Sequence, residues 1–347
     1  MSTFYKLKVS GVRSLTPSSV AISLSVPGEL KEKFQFDAGQ HLTLKQEIDG
    51  KEVRRAYSIS SAPSEPELTV GIKRVEGGTF STWASDHLKE NDSIEVMPPK
   101  GHFLFTPSNK AQHICAFAAG SGITPIMSII ESVLNSHPEN TVVLVYGNQS
   151  PEETMYHTEI KAFAKKHTDR FFVQFIYSRS REEGALQGRI DSSTVNLIVK
   201  NKFKDRNFDH FYICGPEEMI NNVKETLGKN EIPEDQVHYE LFTTSHEEDV
   251  SDLKGETQVE VTLDDEVFSF VMDKKKLVLD AVLNENIDAP YSCQGGVCST
   301  CIARVTEGKA EMVKNQILTD SEIEEGFILT CQAHPLTPAL KIDYDDV

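Results

Sequence analysis

The chain has 347 residues, too many for one ordinary core, so two or three domains are expected. Its 39% hydrophobic and 25% charged residues suit a globular protein with polar surfaces. The formal net charge of −18 argues against nucleic acid as a partner, because a phosphate backbone repels an acidic surface. The opening Met1-Ser2-Thr3-Phe4-Tyr5-Lys6 lacks the apolar core of a secretory signal. A cytoplasmic address is therefore expected, where thiols stay reduced and clustered cysteines point to metal or redox chemistry.

The first hundred residues read as short strands separated by turns. Val20 to Val26 and Glu67 to Lys73 alternate apolar and polar side chains, and Ser61-Ala62-Pro63-Ser64 is a turn cluster. Evenly spaced short strands predict a small antiparallel β-barrel. At the end of one such strand lies Arg55-Ala56-Tyr57-Ser58. On its own it suits an ordinary surface arginine and a buried tyrosine. Chemically it also offers a guanidinium for a pyrophosphate, a ring to stack on an isoalloxazine and a hydroxyl to reach its N5. Further on, Gly77-Gly78-Thr79-Phe80-Ser81-Thr82 opens a helical stretch, where glycines and leading amides can receive phosphate.

From Gln112 the pattern changes. The apolar run Ile114 to Ala119 meets a glycine turn and then a helix with Ile126, Ile129, Ile130 and Val133 on one face. Gly120, Ser121, Gly122 and Pro125 break the run up to Ile130, so it is a buried strand entering a helix, and no membrane partner is expected. Val142 to Tyr146 is a second buried strand, followed by a helix through Glu159 and Phe163. Phe171 to Tyr177 and Phe211 to Ile213 are further strands, the last leading into a helix from Glu217. Alternating strands and helices predict a doubly wound parallel α/β sheet with ligands at the carboxyl ends of its strands. Gly120-Ser121-Gly122-Ile123-Thr124-Pro125 and Cys214-Gly215-Pro216 both fall at such ends. The first lacks the third glycine of a dinucleotide fingerprint and could equally be a tight structural turn, with Pro125 suited to a first helical turn. Taken singly, Cys214 reads as a small buried hydrophobe.

Residues 243–256 are polar, acidic and poor in large apolar side chains, which is linker composition. Strands resume at Val259 to Leu263 and Val267 to Val271. From Thr243 onward there are 8 Lys and Arg against 22 Asp and Glu, a balance of −14, while the preceding 242 residues carry 27 against 31. This acidity is either simple solubilisation or a docking face for a basic partner. In the same part Cys293 and Cys298 enclose four residues, Cys298 and Cys301 enclose two, and Cys331 follows after 29 more. That is the plant-type 2Fe–2S spacing, three thiolates from one loop and a fourth from a distant strand. Gln294-Gly295-Gly296-Val297 lets the loop wrap closely with its amides turned to sulfur. Disulfides suit a reducing compartment poorly, and zinc prefers short paired spacings. Cys115 and Cys214 stand outside the set.

Arg-x-Tyr-Ser, Gly-Gly-x-Phe-Ser, Gly-Ser-Gly-Ile-Thr-Pro and Cys-Gly-Pro, in this order, resemble the ferredoxin–NADP reductase superfamily. With the ferredoxin-like cysteines behind them, the whole chain resembles the reductases that feed oxygenases. The stretches Glu95 to Phe103, Gly188-Arg189-Ile190-Asp191, Cys298-Ser299-Thr300-Cys301 and Cys331 to Thr337 look most like the reductase subunits of phenylacetyl-CoA epoxidases. The resemblance implies an FAD-binding antiparallel β-barrel over 1–108, an α/β doubly wound NAD(P)H-binding domain over 109–243, an acidic linker over 244–256 and a β-grasp 2Fe–2S ferredoxin domain over 257–347. It implies that Arg55, Tyr57 and Ser58 hold FAD and that Gly78, Phe80 and Ser81 bind its pyrophosphate. Gly120, Gly122 and Thr124 would line the nicotinamide nucleotide, with Cys214 and Gly215 near the nicotinamide. His238-Tyr239-Glu240-Leu241-Phe242 resembles the end of the reductase module, with Phe242 over the second flavin face. Tyr57, Ser58, Cys214 and Glu240 are the candidate catalytic residues. Cys293, Cys298, Cys301 and Cys331 are the candidate metal ligands.

Ser178-Arg179 matches a pair that grips the adenosine 2′-phosphate in NADP-dependent relatives, where an arginine gives a charge-assisted bidentate contact. Many relatives also carry Arg after Tyr-Gly-Asn, where this chain has Gln149. That removes one potential contact to the cofactor, and the Ser178-Arg179 pair alone sets NADPH ahead of NADH as the expected donor. The expected cofactors are FAD, a 2Fe–2S cluster and NADPH (or NADH), and the expected partner is a di-iron oxygenase component. Two other readings stay open: a stand-alone reductase for another hydroxylase or a hybrid-cluster protein, and a redox-sensing iron–sulfur module.

Overall fold

The computed structural model describes residues 3–242, 253–315 and 317–347, which divide into two compact units, Phe4–Leu241 and Phe242–Val347. The first unit begins with β1 (Tyr5–Thr16), β2 (Ser19–Ser25), β3 (His41–Ile48), β4 (Lys51–Ser58), β5 (Leu68–Lys73), α1 (Thr79–His87) and β6 (Ser93–Lys100). These strands form one sheet in the order β4-β3-β6-β1-β2-β5, every pair antiparallel. An isolated bridge, Ile59 to Val70, joins its two edges and closes the sheet. The alternation seen in the sequence follows from that closure. Leu7, Val9, Ile22, Leu24, Leu42 and Leu44 are buried inside, and their strand neighbours face out.

The chain then runs through β7 (His113–Ala119), α2 (Ile123–Ser136), β8 (Thr141–Asn148), α3 (His157–Lys166), β9 (Phe171–Tyr177), β10 (Leu186–Gln187), α4 (Ser192–Asn196), a π-turn over Leu197–Lys202, β11 (His210–Cys214), α5 (Glu217–Lys229) and β12 (Val237–Glu240). These six strands are all parallel, in the order β10-β9-β8-β7-β11-β12. The order reverses between β7 and β11, which makes their carboxyl ends the switch point where such sheets bind ligands. Val142 to Val145 are buried on both faces, as a central parallel strand requires. Asp191 starts α4 by accepting from the Thr194 amide at 2.8 Å, and so acts as its N-cap.

The second unit holds β13 (Glu256–Leu263), β14 (Glu266–Asp273), α6 (Val278–Asn284), β15 (Ile302–Glu307), β16 (Ala310–Met312), α7 (Asp320–Glu324), β17 (Phe327–Leu329), β18 (Ala333–Pro335) and β19 (Ala339–Asp343). Five strands make a mixed sheet, β14-β13-β19-β15-β17, in which only β13 and β19 run parallel. Val278, Leu279 and Val282 of α6 share a core with Val259, Val261, Leu340 and Ile342 of the sheet, giving an α+β, β-grasp arrangement. Thr319 and Glu322 form a reciprocal capping box at the start of α7. Most of the expected linker, residues 244–252, lies outside the described residues, and Glu256 already begins β13.

Candidate functional site

In the first unit the end of β4 meets the ends of β11 and β12. Ser58, the last residue of β4, is buried and its hydroxyl donates to a Glu240 carboxylate oxygen at 3.2 Å, across 182 positions of sequence. Glu240 ends β12 beside Cys214, the last residue of β11, and Cys214 is in turn level with Ala118 of β7. Burial first, and then the Glu240 carboxylate, push the Cys214 thiol well above the usual thiol range, so it is a neutral thiol and no nucleophile. Tyr57 is half-buried with its ring 5.7 Å from Phe80, and burial raises its phenol against the opposing pull of Arg55. Arg55 is half-buried and donates to the Arg54 carbonyl at 2.7 Å.

Gly78 is the residue before α1, and the Ser81 hydroxyl accepts from the Val75 amide at 3.1 Å, folding the glycine turn onto the helix start. A Cβ on Gly78 would lie 2.7 Å from that hydroxyl. The leading amides of α1 lack intrahelical partners and suit a diphosphate. Phe80 itself is in the barrel core, packed between Tyr57 and Trp83, so only its backbone amide is available to a phosphate.

At the switch point Gly120 follows β7 with φ 55° and Gly122 precedes α2. A Cβ on Gly122 would sit 2.2 Å from the Cys214 carbonyl oxygen and 2.7 Å from the Gly215 amide. Glycine is therefore what lets the two loops touch. Thr124 ties its hydroxyl to the Ser121 carbonyl at 2.9 Å, and the Tyr146 hydroxyl holds the Gly120 carbonyl at 2.9 Å. Ser178 and Arg179 stand exposed just beyond β9, their amides bonded to the Asn148 and Gln149 carbonyls at 3.0 and 2.9 Å. Phe242 falls with the second unit.

Nothing in the sequence marks His41, yet it is buried opposite Ser58 with no partner for Nε2 among the described residues. Burial, aided by Lys100 and His102, pushes it down to about 4, so it is neutral at pH 7. A buried, unpartnered ring nitrogen beside Ser58 is a polar group that a ligand with matching donors or acceptors could satisfy.

In the second unit the loop after Cys293 winds tightly: Gln294, Gly296 and Ser299 have φ of 54°, 72° and 52°. The winding aims amides at sulfur, with Gly295 N–H 3.3 Å from Cys293 Sγ and Cys293 N–H 3.4 Å from Cys298 Sγ. Side-chain contacts run from Cys298 to Cys293, on to Cys331 and then to Cys301. Among the described residues no three His, Cys, Asp or Glu side chains converge on a single point. Four thiols in a chain of contacts suit two irons with two thiolates each rather than one ion. The contact with Cys293 and then burial raise the Cys298 thiol well above its usual range; two cationic irons would displace such protons outright. Behind the ligands, Tyr344 donates to the Thr330 hydroxyl at 2.9 Å, which donates to the Cys301 carbonyl at 2.9 Å. Gln332 spans to the Gln294 carbonyl at 3.0 Å. The residues present thus fit a 2Fe–2S cluster.

Known proteins match in the same order. The oxidoreductase FAD-binding domain profile matches residues 6–105, the oxidoreductase NAD-binding domain 117–225 and the 2Fe-2S iron-sulfur cluster binding domain 261–336. The chain is 36% identical over 351 residues to one of the subunits of the 1,2-phenylacetyl-CoA epoxidase of Escherichia coli (strain K12), covering 99% of this chain and 99% of that one. It belongs to the ferredoxin-reductase type of oxidoreductase, the electron-transfer components of oxygenases. Such a reductase carries FAD, a nicotinamide nucleotide site and a 2Fe–2S cluster. This reductase is also 34% identical over 353 residues to the ferredoxin reductase component of 3-ketosteroid-9-alpha-monooxygenase from Rhodococcus rhodochrous, covering 97% of this chain and 96% of that one. The solved structure of phthalate dioxygenase reductase shares its fold, with a TM-score of 0.65 at 22% identity and 98% of each chain covered. No helix among the described residues is long and apolar enough to cross a membrane.

Proposed function

We propose that this reductase draws electrons from NADPH in the cytoplasm and delivers them to a di-iron oxygenase, the phenylacetyl-CoA epoxidase of phenylacetate catabolism. The full-length likeness to the Escherichia coli epoxidase component supports the choice of partner. The exposed Ser178-Arg179 pair supports NADPH, since a guanidinium suits a 2′-phosphate. The proposed domains are 1–108, 109–243, the linker 244–256 and 257–347.

The single observation that carries the reaction is the meeting of Ser58, Glu240 and Cys214 at the switch point. Arg55 and the leading amides of α1 would hold the FAD diphosphate, and the Tyr57 ring would lie along the flavin. Ser58 Oγ and Glu240 form a hydrogen-bonded pair that can hold and pass a proton at the carboxylate oxygen. Cys214, neutral and buried, would fill space beside the nicotinamide and exclude water there. FAD, when bound, takes a hydride's two electrons together and releases them one at a time, which matches a two-electron donor to a one-electron cluster. Cys293, Cys298, Cys301 and Cys331 would hold that cluster.

A second reading, a reductase for another hydroxylase, is favoured by the likeness to the ketosteroid monooxygenase component. Reconstitution separates the two, since only the first predicts NADPH-driven epoxidation when the chain is mixed with the oxygenase components of the epoxidase. For the electron path, Cys298→Ser should abolish NADPH-driven cytochrome c reduction and spare NADPH-to-ferricyanide turnover. Equal loss of both activities would show that the flavin does not work independently of the cluster.

A further inference from the structure

The outermost strand of the second unit's sheet has, among the described residues, no strand paired along its outer side. Among the described residues β14 pairs with β13 alone, in an unbroken register from Leu263 opposite Glu266 to Glu256 opposite Asp273. The two-residue turn between them holds Asp264 and Asp265 at φ 54° and 62°, the type I′ geometry. Such a turn makes Leu263 and Glu266 a hydrogen-bonded pair, so the even-numbered residues of β14 direct their N–H and C=O at β13. Val267, Ser269 and Val271 therefore point theirs at the open edge. Their side chains share the sheet face away from the core, with Val267 61% and Val271 53% exposed, while Phe268 and Phe270 pack half-buried on the core side.

Native edges are usually blunted by a lysine, a proline or a bulge, and the middle of β14 has none of these. Its residues Val267-Phe268-Ser269-Phe270-Val271 read the same in both directions, preceded by Asp264-Asp265-Glu266 and followed, after Met272-Asp273, by Lys274-Lys275-Lys276. An antiparallel strand of the same sequence, centred on Ser269, sets valine opposite valine, phenylalanine opposite phenylalanine and Asp264 opposite Lys274, with Asp265 falling opposite Asp273. Lys275 and Lys276 are exposed, and Asp273 is turned to its own chain, accepting from the Lys275 amide at 2.8 Å. An in-register parallel partner would instead set every acid on an acid and every lysine on a lysine, with no opposite-charge pair at all.

We propose that β14 is a dimerisation edge, at which two copies of this chain pair antiparallel about a two-fold axis through Ser269. The outward groups of Val267, Ser269 and Val271 supply about six backbone hydrogen bonds, and the two sheets become one. The contact is isologous and so closes at two copies.

Sedimentation velocity of the full-length holoprotein over a concentration series tests this. The wild type should sediment at twice the chain mass and fall to the single-chain mass on dilution. Ser269→Pro removes an outward N–H and leaves the β13 ladder whole. It should halve the mass at every concentration at which the wild type is paired, while flavin and cluster absorption stay unchanged. Val267→Lys, which places a cation against the partner's Val271, should do the same and decides the matter if the proline variant loses its cluster. A wild type of single-chain mass throughout, or folded variants that both remain at twice that mass, would overturn the proposal.

Discussion

Gly122 is the tightest point in the nucleotide-binding half, and replacing it with alanine should separate binding geometry from simple stability. Its backbone is ordinary for any residue, with φ −60°, so conformational strain does not enter. What decides the outcome is space. The added Cβ would lie 2.2 Å from the Cys214 oxygen, 2.4 Å from its carbonyl carbon and 2.7 Å from the Gly215 amide, all of them backbone atoms that cannot rotate aside. Ordinary contact begins near 3.4 Å, so the loops after β7 and β11 must part by roughly 1 Å. Overpacking of this kind costs about 1–3 kcal/mol of stability. Displacing a positioning element by about 1 Å costs on the order of a hundredfold in rate. Gly120→Ala is the matched control: it has φ 55° but nothing within 4 Å, so it should lose only about 1–2 kcal/mol to backbone strain and keep most of its turnover. NADPH-to-ferricyanide kinetics and thermal melting followed by flavin fluorescence read both quantities. Unchanged turnover and melting in Gly122→Ala, or equal loss of turnover in the two variants, would refute the reasoning.

Two further outcomes follow from named side chains. Arg179→Ala should lower kcat/KM for NADPH relative to NADH by about ten- to a hundredfold, the worth of one charge-assisted hydrogen bond; equal loss with both nucleotides would place the arginine elsewhere. Burial and then the neighbouring Glu65 carboxylate raise Glu131 from 4.5 to about 7. A folded carboxyl that holds its proton longer than the unfolded one makes stability fall as pH rises from about 4.5 to about 7, with the loss complete above that window. Glu131→Gln should remove that part of the slope and raise the melting temperature at pH 8, which a pH series of melting curves would show.

The parts of the fold set by local pattern were legible. The alternation of β2 and β5, the buried run of β8 and the glycine turn between β7 and α2 are all visible as periodicities, because each reports which face of one element is covered. The cysteine loop was legible for another reason: four thiolates at fixed spacing leave few chemistries open. What periodicity misses is contact between distant segments. Ser58 and Glu240 are each unremarkable in sequence and acquire meaning only when β4 and β12 end at the same place. His41 is a lone histidine in a strand until its neighbours bury it. Phe80 has two aspects of which the motif shows one, since its neighbours suggest a phosphate site while its ring lies in the barrel core. The self-complementary pattern of β14 likewise becomes a surface only because the strand lies at an edge of its sheet.

The strand order of the second unit bears on how the protein is made. Its last strand, β19, is also its middle one, held between β13 and β15. During synthesis β13 and β15 therefore wait without their shared neighbour until residues 339–343 have left the ribosome, and the core around Val259, Leu340 and Ile342 closes only then. Cys331 precedes that strand by a few residues, so all four thiols are present before the scaffold that fixes them. The preceding unit, complete at Leu241, can fold on the nascent chain long before.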